Sequence, residues 1–137
     1  MWYNSSMKKQ MLMPQLADPF ASSPTHRRSF LKTVDRALPW SDWAAEIRPR
    51  YYKGERGKKP YDLELMLRIY LLQLIFGWSS RATADELLDS RACAAFCGVD
   101  SPAQVPSETT IRRFRALMKR IGMEEGMIEA AQGIKHP

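Results

Sequence analysis

The sequence predicts an all-α domain. Three observations carry that prediction: apolar residues recur at helical spacing in several windows, residues that cap helices stand where those windows begin, and no run alternates apolar and polar residues over strand length. The organisation read from it is a flexible N-terminal segment over 1–24, a compact helical domain over 25–131 with a basic linker at 48–61 and a helix-turn-helix-like pair, and a divergent tail over 132–137. A chain of 137 residues suits one ordinary core.

Residues 1–24 mix Met, Ser, Pro and Gln without a period, and either Met7 or Met11 could serve as the start. Thr25 caps a first helix in which Phe30, Val34 and Leu38 recur at four-residue spacing and which Pro39 stops. "SDWAAEI" forms a short second helix, capped by Ser41 and ended before Pro49. The linker "RPRYYKGERGKKPY" holds two prolines, two glycines and six basic residues against one acid, so it cannot continue a helix.

Asp62 caps the longest helix, "LELMLRIYLLQLIF", whose apolar residues face nearly every side; it must be surrounded by other helices. After Gly77, either Ser80 or Thr83 opens a helix through "ADELLDS", with Ala84, Leu87 and Leu88 inward and Asp85, Glu86 and Asp89 as a solvated face. A short helical run reaches Phe96, and "CGVDSPAQVPS" is a loop. Ser107 then caps a last, basic helix. Trp40, Trp43 and Trp78 flank these helices and belong to the core or its seams.

A formal net charge of +6 favours an anionic partner, nucleic acid or acidic lipid, without choosing between them. The start of the chain has no apolar run of signal-peptide length, and Leu65 to Phe76, interrupted by Arg68 and Gln73, is short of the roughly 20 residues that span a bilayer. A cytoplasmic protein that does not enter the membrane is expected. Cys93 and Cys97 lie one helical turn apart, as two buried thiols or as half of a zinc site that neither His26 nor His136 completes nearby. No metal, cofactor or small-molecule ligand is expected.

The basic helix carries the functional signal. At about 100° per residue, Ile111, Phe114, Leu117, Met118 and Ile121 share one face, while Arg112, Arg113, Arg115, Lys119 and Arg120 occupy the other with no acid among them. An ordinary solvated helix more often alternates charge signs. The alternative is a basic surface helix with no partner. If the helix is the second of a helix-turn-helix pair, its first turn enters the major groove: Arg112 and Arg113 reach guanine edges or the backbone, and Thr109 or Thr110 bonds phosphate. Arg115 and Lys119 continue the ridge. Lys58 and Lys59, in a linker interleaved with Tyr51, Tyr52 and Tyr61, supply further backbone contacts if the linker acts as a basic arm and none if it is a solvated loop.

No constellation for catalysis is present. The chain has no Gly-rich phosphate loop, no nucleophile with a nearby His and no HExxH, and a two-metal site needs carboxylates converging from several elements rather than Asp85, Glu86 and Asp89 on one helix.

Four stretches, "SFLKTVDRALPWSDW" (29–43), "GKKPYDLELMLRIYLLQL" (57–74), "ELLDSRACAAFCGVD" (86–100) and "VPSETTIRRFRALM" (105–118), occur in an order and spacing that resembles the N-terminal region of InsH-type transposases of the insertion sequence 5 family. The resemblance runs from about residue 29 to 125. It implies a helical region that recognises the terminal inverted repeats of a mobile element in double-stranded DNA, in a bacterial cytoplasm and at the nucleoid. In that family a ribonuclease-H-like domain follows, with three metal-binding carboxylates. The resemblance places the first of them beyond "AAQGIKHP", so this chain is not expected to be an enzyme by itself. Two departures stand out. Ser107 occupies the place where the family usually has Asp, which keeps an N-cap, and residues 132–137 no longer follow the family. A region of this kind also admits other roles: pairing with transposase protomers, inhibition of transposition by a truncated copy, or nuclease activity with carboxylates supplied from elsewhere.

Overall fold

A computed structural model describes residues 25–52 and 61–134. Segment 1–24, the centre of the basic linker with Lys58 and Lys59, and residues 135–137 of the tail lie outside the described residues. Among the described residues seven α-helices follow one another without a strand: α1 (His26–Ala37), α2 (Trp40–Tyr51), α3 (Leu63–Phe76), α4 (Ser80–Asp89), α5 (Arg91–Cys97), α6 (Glu108–Arg120) and α7 (Glu124–Gln132). A 3₁₀ turn over Pro102–Gln104 lies between α5 and α6.

The helix predicted to be surrounded is the centre of the fold. Leu63, Met66, Leu67, Ile69, Tyr70, Leu71 and Leu72 of α3 are all buried, and α2, α4, α5, α6 and α7 pack around them. Burying a Leu or Ile side chain contributes about 2 kcal/mol, so α3 is the largest single source of hydrophobic stabilisation. α1 closes the far side on α5, and α4 packs on α6.

Two polar clusters tie the elements together. Arg68 of α3 donates to Asp35 of α1 at 2.6 Å, to Glu64 at 3.2 Å and to the Phe96 carbonyl of α5 at 2.9 Å, and its guanidinium lies over the Trp40 and Phe96 rings. One side chain thus joins four helices. On the opposite flank the buried Tyr70 hydroxyl donates to the Glu124 carboxylate of α7, beside which Arg115 of α6 stands at 3.7 Å. Gly122, at φ 79°, makes the left-handed turn between α6 and α7 that brings Glu124 back onto α3.

Several expectations are corrected. α2 does not begin at Ser41 and end before Pro49; it starts after Pro39, places Ser41 inside the helix and continues through Pro49 to Tyr51. Proline near a helix end removes only one backbone donor, and the extra turn is held by tertiary contacts: the Tyr51 ring packs on Phe114 at 5.7 Å and its hydroxyl donates to the Tyr61 carbonyl at 2.5 Å. The first residues of the expected linker are therefore helical. Ser79, rather than Ser80 or Thr83, caps α4, and Thr83 is buried with its hydroxyl bonded to the Ser79 carbonyl at 2.7 Å. Leu88 is not inward: it is 55% exposed, and the buried face of α4 is made by Thr83 and Leu87, one turn apart. α7 has no counterpart in the sequence reading. Its apolar anchors, Met123 and Met127, are too few for a period, and Glu124 is fixed by a partner 54 residues away.

Three protons are held more tightly in the fold than in the open chain. Burial raises the Cys93 and Cys97 thiols above their ordinary 9.0, and burial together with the Glu124 bond raises Tyr70 above its ordinary 10.0. Above those ordinary values the unfolded chain loses protons that the folded chain keeps, so stability is full below about pH 8.5 and falls as pH rises. Thermal melts from pH 7 to pH 11 are expected to show this decline. Tyr70→Phe is expected to flatten its part above pH 10; an unchanged slope in that variant would assign the decline elsewhere.

Candidate nucleic-acid interface

α6 is built as a helix with one anchored and one solvated face. Ser107 caps it by accepting from the Thr110 amide at 3.2 Å, and its hydroxyl donates to the Thr110 hydroxyl at 3.1 Å. Ile111, Phe114 and Met118 are buried, with Leu117 and Ile121 partly so, which fixes the helix against α3 and α4. The remaining face must point to solvent.

The cations of that face fall into two groups. Arg112 folds back along the first turn, its guanidinium 3.1 Å from Glu108 and 3.4 Å from the Thr109 hydroxyl. Arg115 turns toward α7, with Nε buried and 3.7 Å from Glu124. In contrast Arg113, Lys119 and Arg120 are exposed and make no ion pair with any described residue. Residues seven apart on a helix differ by only about 20° in direction and lie roughly 10 Å apart along the axis. Arg113 and Arg120 form one such row, and Arg112 and Lys119 another.

An exposed ion pair contributes about 0–1 kcal/mol, so Glu108 holds Arg112 weakly and a phosphate could replace it. Arg115 is half-buried between helices and has less freedom to leave. Of the residues singled out from the sequence, Thr109, Arg112, Arg113 and Lys119 share the open face. Thr110 is turned to the cap, Arg115 is engaged by α7, and Lys58 and Lys59 lie outside the described residues. Arg120 joins the open group, as its place in the same basic ridge allowed. The role of Glu124 left no trace in the local sequence, because its partners are on other helices.

Two further arrangements bear on this face. The segment before α6, residues 98–107, carries the 3₁₀ turn and is longer than the three or four residues that join the helices of a helix-turn-helix, and α6 packs on α4. Among the described residues no three His, Cys, Asp or Glu side chains come together to hold a metal ion, and no helix is long and apolar enough to cross a membrane.

Compared with known families, residues 20–117 match a family model described as a transposase domain (DUF772). The chain belongs to that transposase-domain family. The match takes in α1 to α5 and most of α6, including Arg112, Arg113 and Arg115. It ends before Lys119, Arg120 and α7, so the transposase domain and the cationic face overlap without coinciding. No solved structure matches the chain.

Proposed function

We propose that this transposase domain binds duplex DNA through the open face of α6, and that it does so as the part of an insertion sequence 5 family transposase that recognises terminal inverted repeats. The observation that carries the reading is the set Arg113, Lys119 and Arg120, cations with no described partner on a helix whose other face is buried. The family match supports DNA as the anion. In this reading Arg113 and Arg120 take phosphates, while the first turn, with Thr109 and a released Arg112, approaches base edges. α4, packed across α6, serves as the supporting helix of a helix-turn-helix in which α5 and residues 98–107 replace the short turn. The polypeptide binds without cutting, and purified protein with magnesium leaves a plasmid intact.

Protomer pairing, or inhibition of transposition by pairing, has less support. It calls for an apolar face, and the large hydrophobic residues exposed among the described ones are Tyr52, Tyr61 and Leu88, the scattered kind that folded surfaces normally carry.

The test is a fluorescence-anisotropy titration with a random-sequence duplex and with a duplex carrying the inverted repeat of the neighbouring element. Binding to both is expected to weaken by about a thousandfold between about 50 and 200 mM salt, with the repeat bound more tightly at each. Absence of binding at the lower salt sinks the reading. Equal affinity for the two duplexes would keep DNA binding and remove the inverted repeat as its target.

A further inference from the structure

We infer that the C-terminal end of α2, through Arg48 and Arg50 with Tyr52 beside them, is a second DNA-contacting surface that grips the phosphate backbone next to α6. This rests on the reading of α6 as a duplex-binding helix. The sequence alone assigned these residues to a loop, but the structure sets them at the end of a helix whose position is fixed. The Tyr51 ring lies 5.7 Å from Phe114, which in turn stands 6.0 Å from Tyr70 of α3. Tyr51 also touches Tyr52 at 4.8 Å and reaches the Tyr61 carbonyl. Arg50 directly precedes Tyr51, and Arg113 directly precedes Phe114. The ring contact therefore anchors the C-terminal end of α2 against the middle of α6.

Charge complementarity identifies the occupant. Arg48 and Arg50 are exposed, and neither makes an ion pair with a described residue, even though Glu46 stands one turn before Arg50. Tyr52 is 38% exposed and held against Tyr51. Exposed arginines without a described ion-pair partner, beside an amphipathic ring, suit phosphate and sugar, which position a protein without reading sequence. A role limited to complementing the α2 dipole makes a different prediction, a lower melting temperature with unchanged DNA affinity.

The experiment compares four full-length variants by anisotropy on the random-sequence duplex across salt: Arg48→Ala/Arg50→Ala, Arg48→Lys/Arg50→Lys, Arg113→Ala/Lys119→Ala, and Lys32→Ala/Arg36→Ala on exposed α1 positions as a control for net charge. Circular dichroism first establishes that each is folded. The α2 alanine pair is expected to reduce the slope of log affinity against log salt by about 2, the lysine pair to restore most of it, and the α1 pair to leave it within about 0.5 of the parent. If the α2 pair behaves like the α1 pair while the α6 pair loses binding, the second surface is overturned and the reading of α6 stands. If the α6 pair binds as tightly as the parent, the underlying reading fails first, and the inference falls with it.

Discussion

Replacing Arg113, Lys119 and Arg120 with alanine together is expected to weaken binding to a random-sequence duplex by about a thousandfold near 0.1 M salt, with the helical circular dichroism unchanged. The magnitude follows from counterion release, which at that salt is worth roughly tenfold for each phosphate neutralised. The fold is spared because all three side chains are exposed and the helix is held by Ile111, Phe114 and Met118. Arg112→Ala alone is expected to cost less on random sequence, since the free protein already engages that side chain with Glu108. An anisotropy titration measures both. A triple variant that binds within threefold of the parent would remove α6 from the interface.

Arg68→Ala is expected to destabilise the domain by about 3 kcal/mol, a loss on the order of 15 °C in melting temperature for a domain of this size. The residue is only 15% exposed, and its removal strips the Phe96 carbonyl and Asp35 of a charged donor and leaves the Trp40 and Phe96 rings without the plane packed on them. Arg68→Lys is expected to recover less than half, because an ammonium cannot reach three acceptors while lying flat on two rings. Scanning calorimetry decides it. A melting temperature within about 3 °C of the parent would mean that α1, α3 and α5 are held by apolar packing alone. DNA affinity of the folded variant at 10 °C is expected to be unchanged, which separates this effect from the loss in the α6 variants.

Much of the fold was legible because it depends on local chemistry. Thr25, Asp62 and Ser107 each cap a helix where a side-chain oxygen can meet the free amides of a first turn, and each was placed correctly. The inward face of α6 and the central position of α3 followed from periodicity and from its failure, respectively. Errors arose where long-range contacts overrode local rules. Pro49 reads as a stop, yet Tyr51 finds Phe114 and the Tyr61 carbonyl and draws the helix onward. Leu88 reads as core, yet the rotation of α4 is set by Thr83 and Leu87.

The basic ridge was visible as five cations opposite an apolar stripe, but the sequence could not tell which of them stay open. That depends on where α7 returns, since Glu124 engages Arg115 and leaves Arg113, Lys119 and Arg120 without a described partner.

What the sequence determined by itself is therefore the helical class, the caps, the buried α3 and the existence of a cationic helix, all consequences of spacing and side-chain chemistry within a few turns. What only the tertiary structure decided is the continuation of α2, the presence of α7, the sorting of α6 cations into held and open, and the anchoring of the end of α2 on Phe114 of α6. These depend on partners tens of residues away, and the energy of such contacts is not encoded in any single window of the chain.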